Sequence, residues 1–401
     1  MQSKFLKYSI ILLIFIFFTC REKAIVTIGD IHPKKYKINI NEAQSSISDD
    51  ATQLEELSMF FSGRFKPSES SKLNEYSGSR SYLKFQDRIQ NYWHQYERQI
   101  LIPLKEWSSI HVSERKEKVV IYPFSGPDFL NAYTIYPKAE KFILIGLEPG
   151  GMQPKPEDMP EGKVTKGLND ILSGLDSISR LNYFITNKMK VNISASGFPG
   201  TGPIFLTYMG FLGIKPIAYR PISIDREGNI QYISAEEIRK DSKLKKGYFS
   251  LEIIFRDPIN QQEKLLYYIS TNISNQGIIS DPNAMEFLKK QEGFVSTFKA
   301  ASFLVHYGHF SFIKDFIISR ANLIVMDDTG PKIKDLEKEY DLEVYGKYTR
   351  PISLWPEMFQ VELEALHKKQ NMGPLPFRYG YGTLHKTYHI IIAKRKNPIP
   401  L

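Results

Sequence analysis

Lys118–Gly151, KVVIYPFSGPDFLNAYTIYPKAEKFILIGLEPGG, decides the fold. Two short apolar runs, Val119–Tyr122 and Phe142–Leu147, have the length and β-branched content of buried strands. Between them Ser125-Gly126-Pro127-Asp128 makes a turn, and Phe129–Tyr136 suits a short helix. Strand, turn, helix and strand within about thirty residues form a βαβ unit, which predicts two parallel neighbours. Strands of that kind are covered on both faces, so the chain is expected to be α/β with helices on either side of a partly parallel sheet.

A glycine-containing turn after the first strand points backbone N–H groups toward an anion or nucleotide. An acid at the end of the second strand, here Glu148, can hydrogen-bond a ribose. The segment looks like the opening of a Rossmann-like domain and more specifically resembles class I methyltransferases. That resemblance implies S-adenosylmethionine as ligand, with Ser125, Gly126 and Asp128 in the loop and Glu148 in the ribose position. It also places Asp327, after the strand Leu323–Met326, on the same sheet edge, and it implies a closing antiparallel strand, which Tyr388–Ala393 supplies. The loop carries one glycine, and Pro127 removes a donor. The motif SGPD…GLEPGG is similar to a family of bacterial exported proteins, a likeness that brings no activity with it.

The carboxylates support another reading. Asp128, Glu148, Asp327 and Asp328 all follow expected strands, and such positions converge where ligands bind α/β sheets. Clustered oxygens suit Ca²⁺ or Mg²⁺, or an acid/base pair for hydrolysis. The plainer account is structural: Asp128 in a helix first turn and Asp327-Asp328 before Thr-Gly as turn residues. His306 and His309 have a spacing that metal sites use but lack a third ligand, and His385 and His389 are poorly spaced for one strand face. Gly197–Pro203, GFPGTGP, lacks the lysine of a phosphate-binding loop and reads as a flexible connector. No G-x-S-x-G nucleophile elbow occurs.

Outward from the βαβ unit, an apolar stripe from Leu83 to Ile100 predicts a helix over 81–110, kinked or broken at Pro103. Helices are expected at Gly167–Lys188 and Gly202–Leu212. Hairpins should turn at Asp225–Gly228 and Asp257–Asn260. Helical periodicity runs from Ala284 to Arg320, and a further helix lies near Pro356–Lys369. These elements make 81–401 one α/β domain with an antiparallel hairpin extension. Residues 20–80 read as a tether and loosely ordered lead-in.

The N-terminus gives the address. Lys4 and Lys7 precede the apolar run Ser9–Phe18, and Thr19-Cys20 precedes Arg21-Glu22-Lys23, which is the layout of a secretory signal over 1–19. The run is shorter than the roughly 20 residues that span a bilayer. Cys20 is the only cysteine, so it forms no internal disulfide. Phe17-Phe18-Thr19-Cys20 resembles the lipobox of bacterial lipoproteins in its relaxed, spirochaete-type form, which implies acylation of Cys20 and a lipid anchor in the cell envelope.

The 401-residue chain has a formal charge of +9, which falls to +7 without Lys4 and Lys7. Its basic residues are dispersed, densest at Arg239, Lys240, Lys243, Lys245 and Lys246 and at Lys394-Arg395-Lys396. No aromatic-interleaved pattern points to nucleic acid, and a solvated basic surface is the expectation. The sequence thus favours a non-catalytic envelope module that binds a ligand or protein partner through the strand-end edge. A methyltransferase-like enzyme and an envelope hydrolase are the alternatives. No cofactor is expected on the first reading; S-adenosylmethionine or Ca²⁺ belongs to the others.

Overall fold

The computed structural model describes residues 40–67, 71–112, 116–181, 197–385 and 387–400. The signal-like segment 1–19 and Cys20 lie outside the described residues. The chain enters through Ile40–Phe61 (α1), followed by Arg80–Tyr96 (α2) and Ile102–His111 (α3). Val119–Tyr122 (β1), Phe129–Ile135 (α4) and Lys141–Gly146 (β2) are the expected βαβ unit. Its strands pair in parallel, with Val119 opposite Lys141 and Tyr122 opposite Leu144. Glu161–Leu181 (α5) and Gly202–Leu212 (α6) lead to Lys215–Ile224 (β3), Ile230–Tyr232 (β4) and Ala235–Lys240 (α7). Then come Ser250–Arg256 (β5), Glu263–Ser270 (β6), Asn283–Lys289 (α8), Phe294–Phe298 (β7), Ser311–Arg320 (α9) and Ala321–Met326 (β8). Tyr340–Gly346 (β9), Val361–Gln370 (α10) and His389–Arg395 (β10) complete the domain.

The fold is α/β and Rossmann-like. One ten-stranded sheet runs β4-β3-β5-β6-β2-β1-β7-β8-β10-β9. Its centre, β6-β2-β1-β7-β8, is parallel, and both flanks are antiparallel. The last strand, β10, enters between β8 and β9 antiparallel to both. Side chains alternate across the strands, so Val120, Phe142, Val295 and Leu323 join α1–α6 on one face. Ile121, Ile143, Phe294 and Ile324 join α8, α9 and α10 on the other.

Three expectations needed revision. The lead-in is not loose from residue 54 onward: Leu54, Leu57, Phe60 and Phe61 are buried in the core, and Tyr82 stacks on Phe60 at 4.4 Å. The stretch 284–320 is not one helical run, because Phe294–Phe298 forms β7 between β1 and β8. All five of its residues are buried, so no alternation marked it. Strand β9 was likewise not anticipated. The interruption expected at Pro103 is present as a π-turn at Glu97–Leu101, which contains Gln99, the residue whose carbonyl the Pro103 ring would meet in a regular helix.

The GFPGTGP stretch is no flexible connector but half of a buried clasp. Thr201 and Gly202 donate to the Pro149 and Gly150 carbonyls, both at 3.0 Å. The Gly150 and Gly151 amides donate in turn to Phe249 and Gly247. The loop after β2 is therefore gripped from both sides by backbone.

Candidate functional site

The carboxyl ends of β1, β2, β7 and β8 bring most of the expected residues together. Ser125 donates its N–H and its hydroxyl to the Ile145 carbonyl, at 2.9 and 3.2 Å, which lays the first loop along β2. A Cβ on Gly126 would stand 3.9 Å from Glu148 Oε2. Glu148 is 2% exposed, and its Oε2 accepts from the Tyr268 hydroxyl at 3.0 Å and the Leu147 amide at 3.2 Å. Glycine loop and second-strand acid are thus neighbours, as the Rossmann-like reading required.

Three amides at the loop are already spent: those of Ser125, Asp128 and Phe129 donate to the carbonyls of Ile145, Ser125 and Pro127, and Pro127 has none to give. Asp128 makes no side-chain cap to α4. Its Oδ2 instead meets Lys299 Nζ at 3.0 Å and the Tyr122 hydroxyl at 3.1 Å, with both charged side chains buried. Lys299 was missed because it follows β7, inside the stretch that reads as helix. A buried charged pair after a short Phe-Val-Ser-Thr-Phe run was the available signal, and it depended on seeing the strand first.

Asp327 closes the arrangement. Oδ2 accepts from the Ala300 amide at 2.8 Å, and Oδ1 accepts from the Thr329 amide at 3.0 Å and from the Thr329 hydroxyl. Gly380 lies against this carboxylate; a Cβ there would come 2.9 Å from Asp327 Cγ. Phe124, Ala300, Ser302 and Phe303 all have positive φ, between 51° and 58°. Each costs about 1–2 kcal/mol for a residue with a Cβ. Four such residues in the loops after β1 and β7 persist only because neighbours hold them. The Tyr381 hydroxyl donates to the Ala300 carbonyl and bonds Ser302, and Phe303 packs edge-on against Trp355. The segment around Tyr379–Tyr381 therefore roofs the strand ends.

Asp328 faces elsewhere. Its Oδ1 is 3.4 Å from His389 Nε2, and the Tyr348 hydroxyl also lies against its carboxylate. The neutral His389 ring can donate Nδ1–H to Thr387 and accept the Asp328 amide at Nε2. Burial favours that form, but the charges of Asp328 and Asp327 outweigh it and raise the His389 pKa. Burial, then the charge of Asp328, pushes Asp327 up to about 6. His367, whose ring is 5.8 Å from that of His389, is held down to about 3, first by burial and then by repulsion from His389.

These directions predict a pH signature. A histidine whose pKa is raised on folding stabilises below its unfolded value, about 6.5, and loses that contribution as pH rises through the folded pKa. The stability difference between wild type and His389→Gln should be widest near pH 6 and shrink toward pH 8.5, read from denaturant midpoints. A difference that is flat across that range contradicts a charged His389.

The charge of Asp128 acts on five tyrosines, Tyr92 and Tyr96 of α2, Tyr122 of β1, Tyr208 of α6 and Tyr379. Burial, reinforced by Asp128, raises the pKa of each hydroxyl and keeps it protonated. His306 Nε2 bonds the carbonyl of Gly330, in the loop after β8, at 2.7 Å. Among the described residues no group of three His, Cys, Asp or Glu side chains is placed to hold a metal ion. Among them, too, no helix is long and apolar enough to cross a membrane. Comparison with protein-family models, curated proteins and solved structures gives no match.

Proposed function

We propose that the chain is a lipid-anchored protein of the bacterial cell envelope whose Rossmann-like domain is a non-catalytic binding module. Ser125, Gly126, Asp128 and Glu148, with Asp327 and Asp328, are the framework of its strand-end edge, and a ligand or protein partner is met over that edge. One observation carries this reading: every candidate acid is buried, and three of the four are already hydrogen-bonded. Asp128 is paired with Lys299, Glu148 accepts from Tyr268, and Asp327 accepts from two amides and the Thr329 hydroxyl, while Asp328 Oδ1 lies 3.4 Å from His389 Nε2. A hydrolase needs an acid and a base that reach substrate, and these carboxylates serve neighbouring loops instead.

The anchor is tested at Cys20. Wild type should partition into the detergent phase, and Cys20→Ala should move the protein to the aqueous phase. A variant that stays with detergent sinks the lipoprotein reading. A methyltransferase-like protein is the second reading. Its support is the antiparallel entry of β10 between β8 and β9, the closing strand that the resemblance implies, together with the closeness of Gly126 to Glu148. Against it stand the engaged amides of Ser125, Asp128 and Phe129 and the burial of Glu148.

A further inference from the structure

We propose that the segment Ala235–Tyr248, together with Met152, is a membrane-facing patch that docks the domain on anionic phospholipid headgroups. The proposal rests on the lipid-anchored reading and names the surface that the anchored domain turns to the bilayer. Helix α7 and the 3₁₀ turn Leu244–Lys246 carry Arg239, Lys240, Lys243, Lys245 and Lys246, all exposed. Five cations against the three carboxylates Glu236, Glu237 and Asp241 leave the segment a net charge of 5 − 3 = +2. Glu237 closes the capping box of α7 with Ser234, Glu236 pairs with Lys240, and Asp241 accepts from the Lys243 and Leu244 amides. Arg239, Lys243, Lys245 and Lys246 have no acidic partner within 4.0 Å among the described residues, so their charge is presented to solvent.

Apolar side chains lie beside them. Tyr248 is 49% exposed and Met152 39%. The Gly151 amide bonds the Gly247 carbonyl, and the Met152 nitrogen would stand 3.3 Å from a Cβ on Gly247, so Met152 and Tyr248 flank one junction. Cations around half-exposed aromatic and apolar side chains are the chemistry of an interfacial membrane contact: lysines meet lipid phosphates and the tyrosine settles at headgroup level.

The geometry of entry agrees. Helix α1 packs along β3, which pairs with β4, and β4 leads into α7, so chain entry and patch share one end of the sheet. Residues 20–39 can span at most about 70 Å fully extended. That reach lets an anchor at Cys20 bring this end to the bilayer surface.

Amide hydrogen exchange on the full chain bound to vesicles tests the patch. On phosphatidylcholine vesicles containing a minority of phosphatidylglycerol, exchange across Ala235–Tyr248 should slow about tenfold relative to pure phosphatidylcholine. The effect should vanish at about 1 M salt, where the screening length is a few ångströms. The triple variant Lys243→Glu, Lys245→Glu, Lys246→Glu should keep its melting midpoint and lose the protection. Equal exchange on both vesicle types, or protection that survives charge reversal, overturns the patch. Flotation with pure phosphatidylcholine reports the anchor separately, so failure of one reading is not mistaken for failure of the other.

Discussion

Lys299→Met is expected to destabilise the protein by about 3–5 kcal/mol, the cost of leaving a buried carboxylate without its countercharge. Lys299 Nζ is 3.0 Å from Asp128 Oδ2, and both side chains are shut away from water. Without the ammonium, Asp128 keeps the Tyr122 hydroxyl as its remaining donor. Lys299 also precedes Ala300, whose amide reaches Asp327, so its loss loosens two strand-end loops together. The double variant Asp128→Asn, Lys299→Met should recover most of the loss, because the uncompensated charge has gone. Urea midpoints of wild type, both single variants and the double variant give the coupling directly. A cost below about 1 kcal/mol for Lys299→Met would mean that the pair behaves like a solvated one.

Gly151→Ala and Gly200→Ala are each expected to cost about 2–4 kcal/mol, and to disturb the loop after β2 whichever side is changed. Both residues have positive φ, 87° and 99°, where a Cβ is penalised by about 1–2 kcal/mol. Space is the second obstacle. A Cβ on Gly151 would meet Gly200 Cα at 2.7 Å, and one on Gly200 would meet the Gly151 nitrogen at 2.6 Å. These neighbours are backbone, so relief requires moving a loop, an overpacking cost of about 1–3 kcal/mol. The contact is shared, so the double variant should cost clearly more or less than the two single losses together. Alanine at either position with an unchanged denaturation midpoint would refute the clasp.

The two glycine-rich motifs also show how far the sequence could be read. EPGG and GFPGTG were both visible, but their pairing was not, because they lie about fifty residues apart and the contact is backbone to backbone, with no side-chain pattern to advertise it. The βαβ unit was legible because its strands are short, continuous and apolar, bounded by turn residues. Glu148 was legible for the same reason: it follows β2 directly. Strand β7 has all five residues buried and lies between stretches of helical periodicity, so it looked like their continuation. Losing β7 hid Lys299, and without Lys299 the sequence offered Asp128 as a free carboxylate. Asp327 and Asp328 were read with Asp128 and Glu148 as one cluster of carboxylates. Just beyond the end of β8 they diverge, one accepting from Ala300 and Thr329 and the other lying by His389.

The claim that the strand-end acids are framework rather than a nucleotide seat is tested by thermal melting of the protein with S-adenosylmethionine, S-adenosylhomocysteine, NAD and ATP, and with Ca²⁺ and Mg²⁺. A ligand at a hundred times its Kd adds about 2.7 kcal/mol. In a chain of this length that raises the midpoint by at least a degree or two. The account predicts no shift with any of them. An adenosyl-dependent rise that disappears in Glu148→Gln would contradict it and establish the methyltransferase-like reading of the edge.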